Sequence, residues 1–147
     1  MAYAGAILPV FRGREPWTLK WTGRDCERTK PAAESEPIEY PKPDGKRTFD
    51  VLDNLVRTGV KHEHDQPSHL KIKPGMDALP AGESVKIYAA PETRFCPARV
   101  YEYPDGKNLQ INAQNCIHCK CCSIKAPNEF IEWTVPEGGG GPQYSSM

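Results

Sequence analysis

Cys116, Cys119 and Cys122 form a Cys-x2-Cys-x2-Cys run, and a Cys-Pro pair, Cys96-Pro97, stands twenty residues upstream. Thiolates spaced by two residues can wrap one face of a metal cubane within a single tight loop. A fourth thiolate from elsewhere in the chain then closes the site, as in [4Fe–4S] centres. The upstream Cys-Pro is the natural fourth ligand here, so the candidate set is Cys96, Cys116, Cys119 and Cys122. Structural zinc is the competing chemistry, but zinc sites usually pair two Cys-x2-Cys or His-containing units. The upstream element offers one cysteine, and three evenly spaced thiolates suit a cubane better. Cys121 breaks the spacing; being adjacent to Cys122 it points elsewhere and reads as a spare thiol beside the cluster.

Disulfides are a poor alternative. Of six cysteines, four crowd into residues 116–122, and neighbours in such a loop cannot all reach distant partners with proper geometry. Cys26 lies alone in a polar stretch and reads as a free thiol. His62, His64 and His69 invite a metal reading, but their flanks (Lys61, Glu63, Asp65, Gln66) are those of a solvated or docking loop. His118 lies inside the cysteine loop, where a complete four-cysteine set leaves it no ligand role.

The elements that must position these residues are short. The chain has 147 residues with 15 prolines, 12 glycines and 38% hydrophobic residues. That describes a loop-rich protein with a modest core, a class that often needs a metal for stability. Lys plus Arg equals Asp plus Glu at 19 each, so nothing in the charge argues for a nucleic-acid partner. The apolar stretch from Ala2 to Phe11 is too short to span a bilayer, is interrupted by Pro9, and reads as the end of a helix.

Ile38 to Gly45 is proline-rich and expected to run extended over a surface. Thr48 to Arg57 reads as a helix with Thr48 as N-cap, an apolar face of Val51, Leu52, Leu55 and Val56, and Gly59 as terminator. Leu70/Ile72 and Val85/Ile87 alternate as strands do. Ala98–Tyr103 and Asn108–Asn112 flank Pro104-Asp105-Gly106-Lys107, a hairpin signal. A hairpin there brings Cys96 beside Cys116. Phe130 to Val135 is the last expected strand, with Ile131, Trp133 and Val135 on one face. The Gly138–Gly141 run is either a loose tail or backbone pressed against another surface; it lacks the strand-to-helix context of a nucleotide loop.

The chain resembles the C-terminal part of the electron transfer flavoprotein–ubiquinone oxidoreductase family. The resemblance rests on Arg94-Phe95-Cys96-Pro97-Ala98, on Leu109 through Lys120 (LQINAQNCIHCK) and on Val135-Pro136-Glu137 with the glycines and Pro142 that follow. It extends upstream through His64-Asp65-Gln66-Pro67, Ile38 to Gly45, and Glu15-Pro16-Trp17-Thr18-Leu19-Lys20. It implies an α+β, ferredoxin-like [4Fe–4S] domain over residues 63–147, with the four cysteines as ligands. Residues 1–62 would be an irregular extension belonging to the flavin and quinone region, with one helix near 48–58.

The family enzyme is a monotopic protein of the mitochondrial inner membrane, on the matrix side, or of the cytoplasmic face of a bacterial membrane. It takes electrons from electron transfer flavoprotein and passes them through its cluster and FAD to ubiquinone. The resemblance therefore implies electron transport, with peripheral membrane association and the missing FAD and quinone domains as partners. The G-x-G-x-x-G fingerprint for FAD does not occur in this chain, so by itself it should not oxidise the flavoprotein and reduce quinone. The alternatives are a separate ferredoxin-like carrier or subunit docking on a flavoprotein, and a zinc-stabilised interaction module.

Two departures from the family pattern carry physical content. Arg99 replaces the glycine of Cys-Pro-Ala-Gly-Val-Tyr and is strained if that position needs a positive φ. Cys121 replaces a threonine whose hydroxyl can donate to a sulfur more strongly than a thiol can. Tyr101, the other matching hydroxyl, is retained, and the resemblance gives Tyr101 and Cys121 supporting roles around the ligands.

Overall fold

The structure is a computed structural model that describes Arg14 and residues 22–145. The expected helix end at Ala2–Phe11 and the Trp17 motif lie outside the described residues. Among the described residues no helix is long and apolar enough to cross a membrane.

The chain enters through two single helical turns, Asp25–Arg28 and Ala32–Glu34. It then runs extended and exposed through the proline-rich segment, with Ile38 and Tyr40 both over two-thirds exposed. Asp44 next closes a turn by accepting at Oδ1 from the backbone N–H groups of Lys46, Arg47 and Thr48. These three donors hold the carboxyl far below its usual pKa.

Helix α1 follows at Val51–Thr58. Its N-cap is Asp50, which accepts from Asp53 N at 2.9 Å, and not Thr48 as expected. The Asp44 turn engages the Thr48 hydroxyl first, through a 2.9 Å bond from Asp44 N. A carboxylate three residues before a free N–H is at least as good a cap as a hydroxyl. Gly59 ends the helix in the left-handed conformation, φ 59°, as a C-terminal glycine should. The apolar face is present but largely uncovered: Val51, Leu52 and Val56 face solvent, Val56 at 80%.

Strand β1 (Leu70–Ile72) pairs antiparallel with β4 (Ile131–Trp133), Leu70 opposite Trp133 and Ile72 opposite Ile131. Bonds from Lys73 N to Phe130 O and from Thr134 N to His69 O extend the ladder at both ends. The expected last strand is shorter than the sequence suggested, and Val135 falls beyond it at 77% exposure. Val85 and Ile87 are not in a strand. They continue a wide helical turn over Pro80–Ser84, with Ser84 N bonding Leu79 O and Ile87 N bonding Glu83 O. Two alternating residues cannot outweigh a proline that starts helical backbone just before them.

Helix α2 is one turn, Glu92–Phe95. Arg94 returns to donate to the carbonyls of Ala89 and Tyr88 at 2.5 and 3.1 Å. It thereby ties down Ala89 and Ala90, both at positive φ. The expected hairpin forms as β2 (Tyr101–Glu102) and β3 (Gln110–Ile111), Tyr101 opposite Ile111. Asp105 stitches its turn through the N–H groups of Lys107 and Asn108. Helix α3 spans Cys121–Lys125 and packs on α2, on β4 and on the Asp25–Arg28 turn.

The core is small: Leu70, Ala98, Val100, Tyr101, Ala126, Phe130 and Ile131, together with Cys116 and Cys122. Cys26 is buried outside this cluster, on the Asp25–Arg28 turn. It is a free thiol, as expected, but is buried at 6% exposure rather than sitting in a solvated stretch. Its Sγ faces Glu129 Oε1 at 3.8 Å.

One buried polar network lies behind α2. The fully buried Glu92 carboxylate accepts from Ser84 Oγ at 2.8 and 2.7 Å and from the Tyr103 hydroxyl. No cation reaches it among the hydrogen bonds and ion pairs of the described residues, so these hydroxyls replace water. Removing one donor from such a group costs about 1–3 kcal/mol. Tyr103→Phe is therefore expected to lower the stability of the chain by that amount, read as a shift of the urea midpoint at constant slope.

Candidate metal centre

The backbone delivers the cysteines from two segments. Cys96 caps the end of α2, with φ −71° and ψ 117°, and turns the chain into Pro97 and the hairpin. The hairpin returns to the Ala113–Asn115 turn, which Cys116 caps. Asn112 N bonds Val100 O at 2.7 Å, holding the two arms together just above the cysteines. Between Cys116 and Cys122 the loop carries two left-handed residues, His118 at φ 56° and Lys120 at φ 63°. They coil the chain tightly, and Lys120 leads directly into α3.

All four expected ligands, with Cys121 and Tyr101, line one small cavity. Cys116 and Cys122 form its buried floor, Cys96 is half-buried, and Cys119 lies at the exposed edge. The Cys96–Cys116 approach expected of the hairpin is therefore present. Two backbone donors already aim at sulfur: Val100 N at Cys96 Sγ, 3.5 Å, and His118 N at Cys116 Sγ, 3.4 Å.

The electrostatics of the metal-free thiols follow from this burial. Desolvation pushes Cys116 up to about 12, with the neighbouring sulfurs adding to the effect and the His118 N–H opposing it. Burial also raises Cys122, against the Tyr101 hydroxyl and the Ser123 N–H, which both favour its thiolate. Cys121 is raised by its partial burial and then by Cys119 beside it. Its thiol thus sits next to that of Cys119.

Whether a cluster fits can be judged from Tyr101. Its hydroxyl is buried without a conventional hydrogen-bond partner, and burial plus the adjacent Cys122 push its pKa far above that of a free phenol. An orphaned buried donor is costly unless something accepts from it. Sulfur belonging to a cluster or its ligands supplies that acceptor. Four thiols, two N–H groups aimed at sulfur and one idle hydroxyl suit a thiolate-held [4Fe–4S] group.

The histidines differ from expectation. The loop that carries them is largely exposed, as expected, but His62 and His69 themselves are half-buried and converge with His118 on the flank of the cysteine loop. His62 Nε2 and His118 Nε2 are 3.1 Å apart, and the His69 and His118 ring centroids are 4.2 Å apart. Burial, and then the charges of its two neighbours, hold His69 down at about 4. His64 stays exposed, with a 3.5 Å contact to Gln114. Sequence spacing could not reveal this group, because His118 is 49 positions from His69. The β1–β4 pairing and the coiled cysteine loop bring them together. The glycine run closes over the same place: a side chain on Gly140 would meet Glu137 O at 3.1 Å, and Gly141, buried at φ 119°, lies against His118 and Pro136.

A small mixed helix–strand fold wrapped around converging thiols defines a thiolate metal-binding domain. Residues 45–145 match the family described as "Electron transfer flavoprotein-ubiquinone oxidoreductase, 4Fe-4S". Mitochondrial electron transfer flavoprotein-ubiquinone oxidoreductases from Bos taurus and Homo sapiens are each 54% identical over 152 aligned positions, covering 100% of this chain and 24% of their own length. The Arabidopsis thaliana protein of the same name is 55% identical over 142 positions, covering 94% of this chain and 22% of its own length. The chain belongs to the electron transfer flavoprotein–ubiquinone oxidoreductase family, and matches its iron–sulfur portion. It spans about a quarter of the length of these curated relatives.

Arg99 adopts φ 46°, the positive φ that would make it strained. A non-glycine residue in the left-handed region is disfavoured by roughly 1–2 kcal/mol. Arg99→Gly is accordingly expected to stabilise the cluster-loaded chain by about 1 kcal/mol after the entropy of glycine is deducted, measured as a higher denaturation midpoint. Cys121→Thr places a stronger donor beside Cys119. A hydrogen-bond gain of about 0.5–1 kcal/mol on the reduced state corresponds to a potential raised by about 20–40 mV for one electron. A redox titration of the two proteins checks it.

Proposed function

We propose that the chain carries single electrons through one [4Fe–4S] cluster held by Cys96, Cys116, Cys119 and Cys122. The observation that carries this reading is the convergence of four thiols, from two separate segments, on one cavity that the buried Tyr101 also lines. A [4Fe–4S] group changes oxidation state by one electron, which suits a relay between flavins and a quinone. The chain's own residues hold it and tune it. Val100 N and His118 N donate toward Cys96 and Cys116, stabilising negative charge on sulfur. Tyr101 offers a further donor from within the core. Cys119, at the exposed edge, is the side nearest an exchanging partner.

The domain over residues 63–147 reads as ferredoxin-like. Support comes from the pairing of its first and last strands, β1 with β4, around a central β2–β3 hairpin. Residues 1–62 read as an extension that packs on flavin and quinone domains. The exposed Val51, Leu52 and Val56 face of α1 and the exposed Ile38 and Tyr40 support that assignment. As the iron–sulfur part of such an oxidoreductase, the chain would work with electron transfer flavoprotein and the ubiquinone pool. Its place would be peripheral on the matrix side of the mitochondrial inner membrane, or on the cytoplasmic face of a bacterial membrane; the relatives' mitochondrial designation supports the organelle.

The test is anaerobic purification followed by metal and sulfide analysis. The expected result is brown protein with about four iron and about four sulfide per chain. Serine at Cys96, Cys116, Cys119 or Cys122 should sharply lower both, whereas Cys26→Ser should leave them unchanged. Iron-free protein with zinc bound by sulfur would overturn the reading.

A further inference from the structure

Three imidazoles from distant parts of the chain meet beside the cysteine centre. His62 follows α1, His69 immediately precedes β1, and His118 lies between Cys116 and Cys119. One nitrogen from each lies within 4.8 Å of the other two. The 3.1 Å between His62 Nε2 and His118 Nε2 falls between the edges of octahedral and tetrahedral shells, roughly 2.9 and 3.4 Å for metal–nitrogen bonds of about 2.0–2.1 Å.

Hydrogen bonding fixes how these rings present themselves. His62 Nδ1 lies 3.1 Å from the carbonyl of Gln114. A carbonyl only accepts, so the proton of a neutral His62 is on Nδ1 and its Nε2 carries a lone pair directed at His118. An imidazole held through its other nitrogen by a backbone carbonyl is the usual arrangement of a metal-ligating histidine. His69 supplies the second sign. Its Nε2 is buried and has no hydrogen-bond partner, a cost that a bound cation removes.

The surroundings are suited to the same end. His62 stacks on His69 with centroids 5.3 Å apart, and Trp133 lies edge-on to His118 at 5.4 Å. Thr134 N and Thr134 Oγ1 both donate to the carbonyl of His69, at 2.8 and 3.2 Å, fixing that residue's backbone. The three rings line a groove of about 390 Å³ that Glu63 and Glu137 also line. The groove gives an ion an entry path.

We propose that His62, His69 and His118 form a three-nitrogen site for a divalent transition-metal ion of the Zn²⁺ class, separate from the cysteine centre. The donor set is all imidazole, which favours Zn²⁺ and its borderline neighbours over Mg²⁺ or Ca²⁺. The site does not depend on the identity of the group held by the cysteines.

The test uses the 147-residue chain with its cysteine centre first loaded with iron and sulfide, so that the thiols are occupied. Zn²⁺ alone is then added, excess metal is dialysed away, and zinc and iron are counted. One retained zinc per chain is expected, with an X-ray absorption edge fitted by three or four nitrogen or oxygen neighbours at about 2.0–2.1 Å. His62→Asn should weaken zinc binding at least about tenfold with iron content unchanged. His64→Asn should bind zinc as the parent does. Failure to retain zinc, a shell dominated by sulfur at about 2.3 Å, or equal zinc affinity in His62→Asn would overturn the site. Should His62→Asn fail to keep its iron, the absorption spectrum of the parent chain decides the matter.

Discussion

Everything in this domain is arranged around thiols that occupy the place of a hydrophobic core. Cys116 and Cys122 are buried, each at 7% exposure, and share one packed cluster with Leu70 and Val100. Burying a thiol is inexpensive, whereas burying a thiolate is not. That is why desolvation is the first cause of the upward shift at both residues. A metal group has to displace those protons, and it repays the desolvation by bonding to sulfur. Among the described residues the apolar part of the core is small, and domains of that kind often draw stability from a bound metal.

The same constraint explains where backbone strain is found. Seven described residues other than glycine have positive φ, and three of them, Arg99, His118 and Lys120, lie within the segment from Cys96 to Cys122. Such conformations persist only where surrounding structure over-determines them, and they gather at functional sites. In the cysteine loop they turn His118 N toward Cys116 Sγ and aim the chain into α3. Elsewhere the strain is tied down by side chains, as Arg94 ties the Ala89–Ala90 corner through two carbonyls. That corner sets α2, and α2 ends on Cys96. The Arg94 side chain thus helps to fix where Cys96 arrives.

Adjacent to this centre the molecule holds a second polar concentration, the three histidines. Both groups share the loop from Cys116 to Cys122: Cys116 and Cys122 are buried, and the His118 ring lies by the groove that Gly141 also lines. The buried Ser84–Glu92–Tyr103 network stands behind α2 and away from both. Its hydroxyl donors satisfy the carboxylate without help from a cation, so it reads as a structural support for α2.

The amino-acid sequence by itself determined the local chemistry. The Cys-x2-Cys-x2-Cys spacing, the Pro104–Lys107 turn that brings Cys96 to Cys116, and the Gly59 terminator of α1 all depend on neighbours within a few residues. Arg99 stood out only against the glycine of the family pattern, and the structure decided that its position takes a positive φ, 46°. What was not legible depends on distant partners. Thr48 lost the cap of α1 to Asp50 because Asp44 engages its hydroxyl, and Val85 and Ile87 follow the helical path begun at Pro80. Cys26 is buried because the Asp25–Arg28 turn packs on α3, which no pattern around residue 26 announces. The histidine trio is the clearest case. Polar flanks made His62 and His69 read as solvated, and only the β1–β4 pairing and the coiled cysteine loop set them against His118. Contacts of that kind are decided by tertiary packing, where burial depends on which segments meet and not on what lies next in the chain.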